Sequence, residues 1–109
     1  FKWTCCLSGV IMSPNHLNII GREYEIVYLD ELKDAVGECD WDNLKIRVKN
    51  GQPLPLEVDT VLHEAIHAID NAMQLNMNER QVYCLTTGLI SVLKDNQHFL
   101  EYLYRVVKK

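Results

Sequence analysis

Strand-like and helix-like sequence are segregated along this chain, and the border falls at Pro53 and Pro55. Before it, Leu17 to Leu29 is dominated by β-branched and aromatic residues: Ile19, Ile20, Tyr24, Ile26, Val27 and Tyr28. Such a run predicts strand, with Gly21-Arg22 as a tight turn that makes a hairpin, or as a bulge. Leu44, Ile46 and Val48 alternate with Lys45, Arg47 and Lys49, the pattern of a half-buried strand, and Glu38 to Asp40 predicts a short one. Between them, Asp30 is placed to cap a short helix, with Leu32, Ala35 and Val36 turned inward and Gly37 closing it. Beyond the prolines the period changes. Val58, Leu62, Ala65, Ile66, Ile69 and Met73 recur at helical spacing from Leu56 to Met73, so this face is expected to be the buried one. Asn78 can cap a second helix reaching about Lys94, with Val82, Leu85, Leu89 and Val92 inside, and a third runs from Phe99 to Val107. Strands first and helices after predict an α+β fold. The expected form is a small, mostly antiparallel sheet of about three strands packed on three C-terminal helices.

A chain of 109 residues suffices for one core and not for two. Residues 12–109 are expected to form that single domain. Residues 1–11, FKWTCCLSGVI, differ in character from the rest of the chain, and Met12 reads as a natural start preceded by upstream sequence. The alternative is an apolar segment that packs on the domain. No apolar run approaches the roughly 18 residues needed to cross a bilayer, so a soluble protein with no membrane partner is expected. With 15 acids against 11 bases and a net charge of -4, the chain lacks the basic face that nucleic-acid binding requires. Cys5 and Cys6 are adjacent, and Cys39 and Cys84 are far apart. That spacing fits neither a disulfide framework nor a zinc ribbon, and predicts free thiols in a reducing cytoplasm.

Chemistry is concentrated in Thr60-Val61-Leu62-His63-Glu64-Ala65-Ile66-His67. Histidines four apart project from one side of a helix, close enough for two imidazoles to share one tetrahedral Zn²⁺. In an H-E-x-x-H run the intervening glutamate serves as general base, which gives Glu64 that expected role. Both histidines fall on the helix's polar face with Asp59, Asp70 and Gln74.

A third ligand is required. The pattern H-E-x-x-H-x-x-G-x-x-H would need glycine at position 70 and histidine at 73, where this chain has Asp70 and Met73. Asp70 lies one turn beyond His67 on the same helix and reads as an outer acceptor for a histidine N–H, or as a solvated charge. Glu79 is the only acid between Asp70 and Asp95, at the start of the returning helix, and is the preferred ligand in a His-His-Glu set. Two points stay open. Glu79 also reads as an ordinary first-turn acid favoured by the helix dipole. His67 precedes the end of its helix by several residues, so a partner on the returning helix could fall nearer Tyr83. His98 is a weaker candidate. Tyr83, one turn beyond Glu79, reads either as an oxyanion donor or as a half-buried core tyrosine. The strand Leu44 to Lys49 is expected to present the edge that holds an extended substrate, unless its lysines and arginine form a solvated face.

The succession G-x-E-Y-E-I-V-Y-L-D-x-L, G-E-C-D, L-H-E-A-I-H-A-I-D, N-E-R-Q-V and G-L-I-S-V-L-K-D-N resembles small zincin-like metallopeptidases encoded by phages and prophages. These are related to the ImmA/IrrE-type peptidase domain, and the similarity runs from about Ile19 to Asn96. The resemblance implies a compact zincin core, zinc on His63, His67 and an acid matching Glu79, and Glu64 as base. It also implies hydrolysis of a peptide or protein substrate in the bacterial host's cytoplasm. The competing expectation is a non-catalytic zincin-fold phage accessory or interaction protein.

Overall fold

The computed structural model describes residues 12–33 and 35–108, so the expectation concerning residues 1–11 lies outside the described part of the chain. The first apolar stretch folds as a hairpin of β1 (His16–Ile19) and β2 (Arg22–Leu29). Its turn is Ile20-Gly21, both at positive φ (47° and 75°), the two-residue turn whose twist matches antiparallel strands. β3 (Gly37–Asp40) and β4 (Lys45–Lys49) come next. The sheet has four strands rather than about three, in the order β1-β2-β4-β3. Its two outer pairings are antiparallel, but β2 and β4 run parallel at the centre, so the sheet is mixed.

The segment between β2 and β3 explains that mixture. The short helix expected after Asp30 does not form among the described residues of this segment. Asp30 Oδ1 instead accepts from Asn50 Nδ2 at 3.2 Å, and the Val36 carbonyl accepts the Lys49 N–H at 2.8 Å. The chain must pass from the end of β2 to a position outboard of β4, two strand spacings or roughly 10 Å away. It then turns back through the β3–β4 hairpin, which leaves β4 parallel to β2.

Three helices complete the fold: α1 (Leu54–Met73), α2 (Glu79–Asp95) and α3 (Gln97–Val107). Helix α1 starts two residues before the expected point, because Pro55 sits in its first turn, where no N–H is needed. The sheet does not rest on all three helices. Only α1 contacts it, against β1, β3 and β4; α2 packs on α1, and α3 on α2. Ile19, Tyr24, Ile26, Ile46 and Val48 form the core with Ala65 and Ala68 of α1.

This layering redistributes the expected faces. Helix α1 is covered on two sides and buries Glu57, Thr60, Glu64, Ala65, Ile66 and Ala68, whereas Val58, Ile69 and Met73 are exposed. Helix α2 buries Val82 and Thr86 and leaves Leu85, Leu89 and Val92 exposed. Small and polar side chains line the sheet-facing side of α1 because the backbones there approach closely. A Cβ added to Gly37 would lie 2.5 Å from Thr60 Cγ2.

Candidate metal centre

His63 and His67 stand one turn apart on α1, their ring centroids 4.9 Å apart and their planes at 69°. What meets them is decided by the loop after Met73. Gln74 and Asn76 take left-handed conformations (φ 55° and 58°), which reverse the chain sharply. Asp70 closes the reversal twice: its carbonyl accepts the Leu75 N–H at 3.2 Å, and its Oδ1 accepts the Met77 N–H at 3.1 Å. Asp70 is therefore a brace of the loop rather than an acceptor for a histidine. Asn78 then caps α2 as expected, in a reciprocal pair: Gln81 N–H donates to Asn78 Oδ1 (2.8 Å) and Asn78 N–H to Gln81 Oε1 (2.9 Å).

These constraints aim the first residue of α2 back at α1. Glu79 Oε1 lies 2.6 Å from His63 Nε2 and 2.9 Å from His67 Nε2. The first turn of α2, not the second, returns to the level of the histidines, so the structure brings Glu79 to them. Tyr83 sits farther along the cleft wall, 60% exposed. Glu79 remains a first-turn helix acid as well, so the two readings of it coexist. Its carboxyl is held below the usual range, first by hydrogen bonding to His67 and then to His63. His98 lies on α3 and the exposed thiol of Cys84 on α2; neither belongs to the cluster.

The three facing atoms lie within 4.8 Å of one another, the only such group of His, Cys, Asp or Glu among the described residues. Two imidazole nitrogens and a carboxylate oxygen are a zinc-type donor set. Tetrahedral zinc with ligands at about 2.0–2.1 Å spaces the ligand atoms about 3.3 Å apart. The Glu79 oxygen sits slightly closer than that to both nitrogens, and its side chain, 73% exposed, has room to withdraw.

Glu64 follows His63 on α1 and lines the same cleft, 7% exposed. A Cβ on Gly37 would come within 3.2 Å of both its Cγ and its Oε2, so β3 covers it closely. Burial raises its carboxyl from 4.5 to about 7; Glu79 and Glu38 push the same way and His63 opposes. The neighbouring Cys39 thiol is pushed up to about 12, by burial first and then by Glu64 and Asp40. Its burial thus favours the neutral thiol over the thiolate.

The resulting cleft, about 550 Å³, has α1 as its floor, β3 as one wall and the start of α2 as the other. The edge strand is β3, whereas β4, expected in that position, is interior between β2 and β3. Of the β4 cations, Arg47 is bound to Glu38 Oε2 (2.7 Å) and Asp40 Oδ2 (3.1 Å), and Lys45 pairs with Glu25 at 3.8 Å. Sequence reasoning did not assign Gly37, Cys39 or Trp41 to the site, though all three line it. A usable signal was the short apolar-polar run that ends at Trp41, an exposed-type turn position holding a tryptophan. Comparison with protein-family models, with curated proteins and with solved structures found no match to this chain.

Proposed function

We propose that this chain is a zinc-dependent peptidase of the zincin-like kind, of phage or prophage type, that hydrolyses a peptide or protein substrate in the bacterial host's cytoplasm. The observation that carries the reading is the convergence of His63 Nε2, His67 Nε2 and Glu79 Oε1 in the cleft that the buried Glu64 also lines. In this reading His63, His67 and Glu79 hold the zinc. Bound there, zinc acts as a Lewis acid that acidifies water and polarises a carbonyl.

The remaining work falls to the chain's own groups. Glu64, with its carboxyl near 7, is matched to take a proton from water and return one to the leaving amine at neutral pH. The outer backbone groups of β3 supply an edge against which an extended peptide can add as a further strand. Tyr83, which lines the opposite wall, is the candidate to donate its hydroxyl to a developing oxyanion.

Metal analysis of protein purified without chelator, combined with cleavage of an unfolded protein substrate, tests the reading. The wild type should carry one zinc and cleave. Glu64→Gln should carry zinc and lose at least about a thousandfold in kcat/KM. Unchanged cleavage by Glu64→Gln would overturn the mechanism, and zinc without turnover in the wild type would favour the interaction protein.

A further inference from the structure

The cleft carries two large apolar side chains that the fold does not use. Val36 and Trp41 flank β3 at its two ends, 54% and 43% exposed, and both line the cleft. They stand on firm supports. The Val36 carbonyl is tied to β4 by the Lys49 N–H (2.8 Å). Trp41 rides a turn in which Asp40 accepts from both the Asn43 N–H (3.2 Å) and Asn43 Nδ2 (2.9 Å), while Arg47 anchors Asp40 from β4. A tryptophan held in place on an open wall offers a large contact area with little further ordering cost.

The charges point the same way. No lysine or arginine is among the described residues lining the cleft, whereas Asp59 lines it alongside Glu64 and Glu79. The β3 wall presents Val36 and Trp41 at its two ends with Glu38 between them, and the α1 floor carries Asp59 and Glu64 beside the two histidines.

We infer that Val36 and Trp41 are specificity-determining residues that select an extended peptide segment carrying a bulky apolar side chain and no acidic neighbours. The inference rests on the proposed peptidase reading for its setting, and it names the substrate class of that site. The peptide lies along β3, its apolar side chain against Trp41, and acidic residues are rejected by Asp59 and its neighbours.

Binding without turnover separates the two ideas. Fluorescently labelled ten-residue peptides of one framework, with a central Phe, Leu, Ala or Asp, are titrated by anisotropy against Glu64→Gln protein in the presence of zinc. The Phe and Leu peptides should bind about tenfold or more tighter than the Ala peptide, as burial of a large apolar side chain requires, and the Asp peptide most weakly. Adding Trp41→Ala, or independently Val36→Ser, should shrink the preference to within about threefold, with zinc stoichiometry unchanged. Equal affinity for the Phe and Ala peptides, or a preference that survives both substitutions, overturns the inference. If the wild type cleaves the Phe and Ala peptides equally, the peptidase reading stands and the selectivity falls. If the binding preference holds and no peptide is cleaved, the selectivity stands and the peptidase reading falls.

Discussion

Glu64 is the residue on which structure and chemistry pull hardest against each other. A buried carboxyl raised to about 7 binds a proton in the folded state that the unfolded chain, at 4.5, has already released. Its contribution to stability is therefore fully present below about pH 4.5 and is lost as pH rises to about 7. At roughly 1.4 kcal/mol per pH unit, the metal-free protein loses about 3 kcal/mol through this group. Urea midpoints of metal-free wild type at pH 5 and pH 7.5 should show most of this loss, about 2 kcal/mol, and Glu64→Gln should remove most of the difference between the two. At this scale His63, Glu64 and His67 were legible in the sequence, because four-residue spacing on a helix decides their relation locally. The place of Glu79 was only half legible: its type and helix position could be read, but its distance from the histidines depended on the loop. Cys39 was not legible as a site residue, since its place in the cleft is set by strand order, and for Trp41 the only signal was a tryptophan on a turn.

Among the elements, the reversal between α1 and α2 matters most, because Glu79 reaches the histidines only through it. Asp70 holds that reversal through the Met77 N–H, with Gln74 and Asn76 in left-handed conformations on either side of Leu75. Asp70→Ala removes the acceptor and leaves the first turn of α2 less firmly aimed. A lost hydrogen bond of about 1 kcal/mol should weaken zinc binding roughly fivefold, with helix content retained. Competition against a chromophoric chelator measures the first and far-ultraviolet circular dichroism the second; an unchanged zinc affinity would show that the loop does not aim Glu79. The expected helices α1 and α2 were found nearly where periodicity put them, but only part of each expected buried face was: Ala65 and Ile66 on α1 and Val82 on α2. Counting large apolar residues favoured Val58, Ile69 and Met73, whereas the close approach of Gly37 selected Thr60 and Glu64 for the sheet side. The edge was misassigned for a related reason. Alternation shows that Leu44 to Lys49 is a strand, yet nothing local distinguishes an interior strand whose cations are paired from an edge strand whose cations are solvated.

Across the whole molecule, stability should fall from one side to the other. The sheet and α1 share the core; α2 buries Val82 and Thr86; none of the described residues of α3 is fully buried. Amide hydrogen exchange should therefore be slowest in β2, β4 and α1 and fastest in α3. The candidate zinc ligands span the junction of α1 and α2. Zinc at a hundredfold excess over its Kd should slow exchange in α2 by up to about a hundredfold while leaving α3 nearly unchanged. Equal slowing in all three helices would mean that the molecule opens as one unit.

The one-neighbour layering has a mechanical consequence. α3 is held through α2 and α2 through α1, so a pull on the last helix acts in peeling geometry, one layer at a time. The second layer to lift carries Glu79 away from His63 and His67. A force applied at α3 would thus be expected to part Glu79 from the two histidines from a distance, by leverage rather than by entry into the cleft.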